Sequence, residues 1–361
     1  MMRALTVNPA KKTLRLAERP PPRAPKNTEV LLRILDVGIC GTDREIASFE
    51  YGEPPPGAED FVLGHEALAE VIAVGPNVTS FQPGELAVPT VRRPCSSPRC
   101  PACRAGRQDF CITNEFSERG IVRADGYLAE QVLEEERYLV EVPQALREVA
   151  VLVEPLSVVS KAAEEYAVIH SRFAFEAPRS RGLVLGAGAI GLLGAMTMRA
   201  AGFETYVFSR EPEDTPRAAL IGSLGCHYVS SGRTPVERLR ERIGAMDMIF
   251  EAVGVPQVAW GALPALAANG IYALTGVPAL GEPVPGDLRR WMRDIVLNNQ
   301  LIFGTVNAGR SAYEQSVFRL EQFLALFPKQ LRELIRRVPF DEAPQIIANG
   351  RGIKDVVSLA H

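Results

Sequence analysis

Arg181-Gly-Leu-Val-Leu-Gly186-Ala187-Gly188-Ala189-Ile190-Gly191 reads as a buried strand that runs into a glycine turn and opens a helix. Each glycine has a physical reason to be there. Gly186 permits the tight turn, Gly188 lets backbone come close to a pyrophosphate, and Gly191 lets helix and strand pack closely. The N–H groups at the start of that helix have no intrahelical partner and face an anion favourably. A lone G-x-G-x-x-G says little, and a ligand-free glycine turn is the plainer reading. The strand–turn–helix context is what makes a dinucleotide site the stronger one.

Downstream of this turn, strand-like runs at Glu204 to Phe208, Met246 to Glu251, Ile271 to Thr275 and Leu301 to Val306 alternate with helical stretches. Such alternation predicts a doubly wound parallel sheet with helices on both faces, the Rossmann arrangement. The second strand runs Thr205-Tyr-Val-Phe-Ser209-Arg210 and ends without an acid. A carboxylate there would accept from a ribose 2′-OH and repel a 2′-phosphate, whereas a guanidinium pairs with the phosphate. NADP is therefore the expected cofactor, with NAD still possible because Glu211 and Glu213 follow closely.

Upstream, the first 150 residues have another texture. Glu29 to Leu35 and Ala67 to Val74 read as strands bounded by turn residues, and Pro20 to Pro25 and Pro54 to Pro56 as surface connections. This predicts an irregular β-domain covering residues 1–165, to which residues 309–361 return, around a nucleotide domain over 166–308. With 361 residues the chain is long enough for two domains. A net charge of −3 and 23% charged residues leave no basic footprint for nucleic acid. Neither a leader peptide nor a membrane-length apolar run is legible, so the expected location is cytoplasmic.

Four of six cysteines crowd into Cys95-Ser-Ser-Pro-Arg-Cys100-Pro-Ala-Cys103-Arg-Ala-Gly-Arg-Gln-Asp-Phe-Cys111. Four thiolates that converge tetrahedrally make a closed, structural zinc site, and a redox Cys-x-x-Cys pair would account for only two of them. A second, dispersed set consists of Cys40 in Gly38-Ile-Cys-Gly-Thr42-Asp43 and His65-Glu66 after Gly64. Thiolate, imidazole and carboxylate together suit zinc and leave room for a substrate. Taken singly, each of these residues has an ordinary structural reading.

Glycine turn, four-cysteine loop, Gly-Ile-Cys40-Gly-Thr42-Asp43 and Gly64-His65-Glu66 occur here in the order of the zinc-dependent medium-chain alcohol dehydrogenases, and the similarity spans nearly the whole chain. Gly41-Thr-Asp-Arg-Glu-Ile46, Gly106-Arg-Gln-Asp-Phe-Cys111, Asn114-Glu-Phe116, Glu154-Pro-Leu156 and Val306-Asn307 more closely resemble the archaeal-type glucose dehydrogenases of that family. The resemblance implies a GroES-like catalytic domain with both a catalytic and a structural Zn2+. It implies catalytic-zinc ligands at Cys40, His65 and Glu66, with Glu154 joining either metal or sugar. Thr42, Glu115 and Asn307 would then contact sugar hydroxyls. Thr275, Gly276, Val277, Thr305, Val306 and Asn307 would line the nicotinamide, and Lys354 would reach the cofactor. Three departures stand out: four residues rather than two separate the first two lobe cysteines, Val158 replaces an aspartate, and one arginine follows the second strand instead of two.

The implied activity is oxidation of an aldose at C1 to the lactone by hydride transfer to NADP. The zinc would polarise the C1 hydroxyl, and Thr42 would pass on or orient its proton. A polyol, secondary alcohol or threonine dehydrogenase shares every motif except the Glu115, Glu154 and Asn307 set. A non-catalytic NADPH-binding protein would not need Cys40, His65 and Glu66. By resemblance the assembly is a homodimer or homotetramer.

Overall fold

The computed structural model describes residues 1–173, 180–279 and 281–359. The chain divides into two compact units. One comprises Met1–Ser157, Asn307–Glu321 and the chain from Leu331 onward; the other comprises Val158–Val306 and Gln322–Gln330. These limits differ from the expected 165/166 and 308/309. The helix Val153–His170 begins in the first unit and continues in the second, so the change in sequence texture falls along it rather than at its end.

The second unit is built on a six-stranded sheet, ordered His227–Ser230, Glu204–Ser209, Arg181–Leu185, Met246–Glu251, Leu266–Leu274, Leu301–Gly304. Every pairing is parallel. In chain order that is third, second, first, fourth, fifth, sixth, the doubly wound sequence. Leu183, Leu185, Phe208, Ile249 and Tyr272 are buried in its core, as continuous apolar runs in a covered parallel sheet must be. The short strand His227–Ser230 escaped the sequence reading because two of its four residues, His and Ser, carry no apolar signal.

The first unit carries a seven-stranded sheet whose central strand is Glu29–Ile39. Glu66–Val74 lies antiparallel on one side of it and Lys354–Ser358 on the other. Register decides what meets at one end: Gly38 stands opposite Glu66, and Ile39 opposite Asp355. Cys40 leaves the central strand at that point, and His65 precedes its neighbour. Gly38 has no alternative, since a Cβ there would lie 2.1 Å from Glu66 Oε2. Among the described residues no helix is long and apolar enough to cross a membrane.

Candidate active site

Cys40 is the N-cap of the short helix Gly41–Ala47. Its Sγ accepts from the Thr42 N–H at 3.2 Å, while its own N–H donates to Asp43 Oδ2 at 2.9 Å. This reciprocal cap fixes the thiol without a long side chain to hold it. His65 Nε2 lies 3.1 Å from Cys40 Sγ. Its other nitrogen, Nδ1, faces Asp43 Oδ1 at 3.4 Å, and both atoms are buried without a hydrogen-bond partner. Asp43 thus orients the ring from behind and leaves Nε2 to face the site, the arrangement of an outer-shell carboxylate behind a metal-binding histidine. The sequence motif contained Asp43 but gave it no role; its place at the third helical position was the available signal.

Glu66 completes the group: the ligand atoms of Cys40, His65 and Glu66 all lie within 4.8 Å of one another. A half-buried thiol with a buried imidazole and carboxylate at this spacing fits a zinc ion. Burial disfavours a charged His65, yet Cys40 and Asp43 outweigh it and hold the imidazole well above its ordinary range. The same groups that favour a proton on the imidazole would favour a metal cation beside it. Glu154, half-buried at the start of its helix, is pushed up to about 7 by burial and by the Glu66 carboxylate, against the pull of His65.

Lys354, which the resemblance sends to the cofactor, lies against Glu66 in the structure. Its Nζ donates to both Glu66 oxygens at 2.7 Å and to the Ile39 carbonyl at 3.2 Å, and the side chain is 3% exposed. The strand register that sets Asp355 opposite Ile39 delivers it there. Thr42 is half-buried beside Cys40, and Glu115 is exposed on its loop. Asn307 takes a left-handed backbone conformation, φ 58°, and its Nδ2 donates to Glu118 Oε1 at 2.7 Å.

In the four-cysteine loop the sulfurs of Cys95, Cys100, Cys103 and Cys111 all lie within 4.8 Å of each other. The longer spacer after Cys95 is taken up by a turn in which the Cys100 N–H donates to the Ser97 carbonyl at 3.2 Å. Burial opposes ionisation at Cys111, but bonds from Thr113 draw it down to about 6, while burial pushes Cys103 up to about 12. Four sulfurs that converge in this way fit a closed zinc site.

In the other unit, Gly186 takes φ 110°, and a Cβ on Gly191 would lie 2.2 Å from the Gly186 carbonyl oxygen. A Cβ on Gly188 would meet nothing within 4 Å, so open space lies in front of the helix Ala189–Ala200. Glu251, buried and unremarked in the sequence, organises the turns beside it. Its carboxylate accepts from the N–H groups of Val253 and Gly254 at 2.7 Å and of Gly276 at 3.0 Å, and its carbonyl from the Thr275 hydroxyl at 2.6 Å. Val277 and Val306 are exposed, and the Thr305 hydroxyl is buried without a partner. Ser209 ends the second strand, and Arg210 beyond it is exposed. Glu211 faces Arg217 at 3.6 Å and Glu213 faces Arg233 at 3.1 Å, so both nearby acids are matched by a cation.

Known proteins resemble this chain along both of its halves. Residues 26–144 match the alcohol dehydrogenase GroES-like domain, and residues 147–359 match the glucose dehydrogenase C-terminus. The chain is 38% identical to a glucose 1-dehydrogenase of Methanocella arvoryzae, over 93% of each. It is 41% identical to one of Thermoproteus tenax, over 91% of this chain and 92% of that protein. The solved glucose dehydrogenase of Haloferax mediterranei, in complex with NADP, Zn and gluconolactone, superposes over the full length of both chains with a TM-score of 0.90 at 33% identity. With both halves matched and the ligand sets assembled, the chain belongs to the glucose dehydrogenase branch of the medium-chain alcohol dehydrogenases.

Proposed function

We propose that this protein is a zinc-dependent glucose 1-dehydrogenase that oxidises glucose or a related aldose at C1 to the lactone, with NADP as hydride acceptor. The observation that carries the reading is the convergence of half-buried Cys40 with buried His65 and Glu66, whose charges Glu154 feels. Relatives named for this activity align over nine-tenths of the chain. When bound, zinc supplies Lewis acidity that makes a C1 hydroxyl easier to deprotonate.

The chain's own residues do the rest. Asp43 and the cap around Cys40 hold thiol and imidazole in place. Thr42 takes up or orients the hydroxyl proton beside Cys40. Glu154, Glu115 and Asn307 supply directional contacts to the other hydroxyls, so an analogue that lacks one leaves a polar group unpaired. In the nucleotide unit the Gly186 turn seats the pyrophosphate, Thr275, Gly276, Val277, Thr305 and Val306 line the nicotinamide, and Ser209 and Arg210 take the 2′-phosphate. Arg217 and Arg233 balance Glu211 and Glu213, so neither acid needs Arg210, which favours NADP over NAD.

We also propose a homodimer or homotetramer in the cytoplasm. Leu301–Gly304 is an edge strand, and the helix Leu288–Leu297 buries none of its residues while Leu288, Met292 and Val296 stand 73%, 70% and 65% exposed on one face. A second copy is the occupant such a face calls for.

The test is NADP and NAD reduction over sugars, polyols, threonine and secondary alcohols, before and after chelation. Chelation-sensitive turnover of glucose or galactose, faster with NADP, is expected. Turnover of polyols, threonine or secondary alcohols alone would sink the sugar reading, and turnover that survives removal of all zinc would sink the metal reading.

A further inference from the structure

Asn307 and the Glu115 loop come from distant parts of the chain, and a buried ion pair stands between them. Arg92 and Glu118 face each other across the antiparallel pairing of Arg92–Arg93 with Ser117–Arg119. They are 8% and 6% exposed. The guanidinium is held on three sides. Nε and Nη2 reach Glu118 Oε1 at 3.0 and 2.9 Å, Nη1 donates to the Asp109 carbonyl at 3.3 Å, and its face lies 3.7 Å from the centroid of the Phe116 ring. Phe116 is the residue next to Glu115.

Glu118 Oε1 also accepts from Asn307 Nδ2 at 2.7 Å, while Asn307 Oδ1 accepts from the Ala308 N–H at 2.8 Å. The Asn307 amide therefore has one assigned orientation. A flip would set its oxygen against a carboxylate, which only accepts, and would turn its NH₂ toward a backbone donor. One N–H and one lone pair of the amide are left for a ligand, and their directions are set by Glu118.

We infer that Glu118, held by Arg92, is a positioning residue that sets which end of the Asn307 amide meets the sugar and ties that amide to the loop bearing Glu115. The inference rests on the proposed sugar contact of Asn307. Its physical basis is direction rather than stability, because a buried ion pair roughly breaks even against apolar residues of the same volume. An acceptor-only partner selects one amide orientation, and a planar guanidinium gripped on three sides fixes that partner.

Glu118→Gln keeps the shape but can present either a donor or an acceptor to Asn307. The measurement is kcat/KM with NADP for glucose and for its 2-, 3- and 6-deoxy derivatives, in the zinc-loaded enzyme. Asn307→Ala should lower kcat/KM for glucose about tenfold and abolish discrimination against one of the deoxy sugars. Glu118→Gln should erase most of that same discrimination, and Glu118→Gln/Asn307→Ala should be no worse than Asn307→Ala alone. Arg92→Lys retains the charge without the fork, and should shift the same ratio by a smaller factor even if Glu118→Gln fails to fold.

If Asn307→Ala leaves every ratio unchanged, the sugar contact itself is wrong. If Asn307→Ala loses discrimination while Glu118→Gln and Arg92→Lys keep it, or if the double variant is additive, the contact stands and the positioning role is overturned.

Discussion

The two cysteine-containing clusters of this protein reach a similar compactness by opposite routes. Cys95, Cys100, Cys103 and Cys111 belong to one loop, with only a four-residue helix and a single 3-10 turn between them. Cys40, His65 and Glu66 come from the ends of two strands, and their outer partner Lys354 from a third. The loop has little core of its own, so a metal there would act on folding. The strand-end site rests on a fully formed sheet, whose residues Val37, Ala67 and Val357 are buried, so a metal there would act on chemistry. On the proposed reading, the cluster close in sequence serves structure and the one assembled by strand register serves chemistry.

The largest effect that separates them should come from Cys40→Ser. We expect kcat to fall by roughly 10³-fold, the scale of a lost Lewis acid, with one zinc equivalent missing and the melting temperature almost unchanged. Cys103→Ser should do the reverse: the other zinc equivalent disappears and stability drops by roughly 5 kcal/mol. Metal analysis paired with thermal melts checks both. Equal loss of stability in the two variants would erase the contrast drawn between the clusters.

Lys354→Met sharpens the catalytic side of the comparison. It leaves Glu66 buried without its partner, a change that costs about 3–5 kcal/mol where nothing replaces the cation. Zinc at the neighbouring ligands should recover part of that loss, so metal-free and zinc-loaded melts of the variant should differ more than those of the parent. Identical differences would mean that Glu66 does not feel the metal site.

The smallest effect involves neither cluster and gives the baseline for both. Burial pushes Tyr127 and Cys226 up to about 12. Each stays protonated in the fold while the unfolded chain releases its proton near pH 9 to 10. The folded state then binds more protons, so their stabilisation is complete below that range and is lost as pH rises toward 12, by at most about 3 kcal/mol for Tyr127 and about 4 kcal/mol for Cys226. Melts from pH 8 to 11, alongside tyrosine absorbance, should show a falling midpoint with Tyr127 still protonated. A flat midpoint would contradict the burial argument.

Much of the fold was legible because its signals are local. The Gly186–Gly191 turn, the strands Glu204–Ser209 and Met246–Glu251, and the four-cysteine loop all declare themselves through neighbouring residues. The strand His227–Ser230 did not, since half of it is polar. Of the site residues, Asp43 lay inside a motif without a visible role, and Glu118 and Glu251 had no motif at all. Their functions depend on which distant groups they accept from: Asn307 for one, and the turns at Val253 and Gly276 for the other. The bonds from Lys354 to Glu66 were not legible, because sequence carries no information about where a long side chain ends.

By itself the sequence determined the elements, the two kinds of ligand set and the cofactor turn, because strand alternation, thiol spacing and glycine conformational freedom act over a few residues. Only the tertiary structure decided that Glu66 is gripped by Lys354, that Asp43 stands behind His65, and that Glu118 orients Asn307. Those contacts arise from strand register and buried charge pairing, and neither is a property of any short stretch of chain.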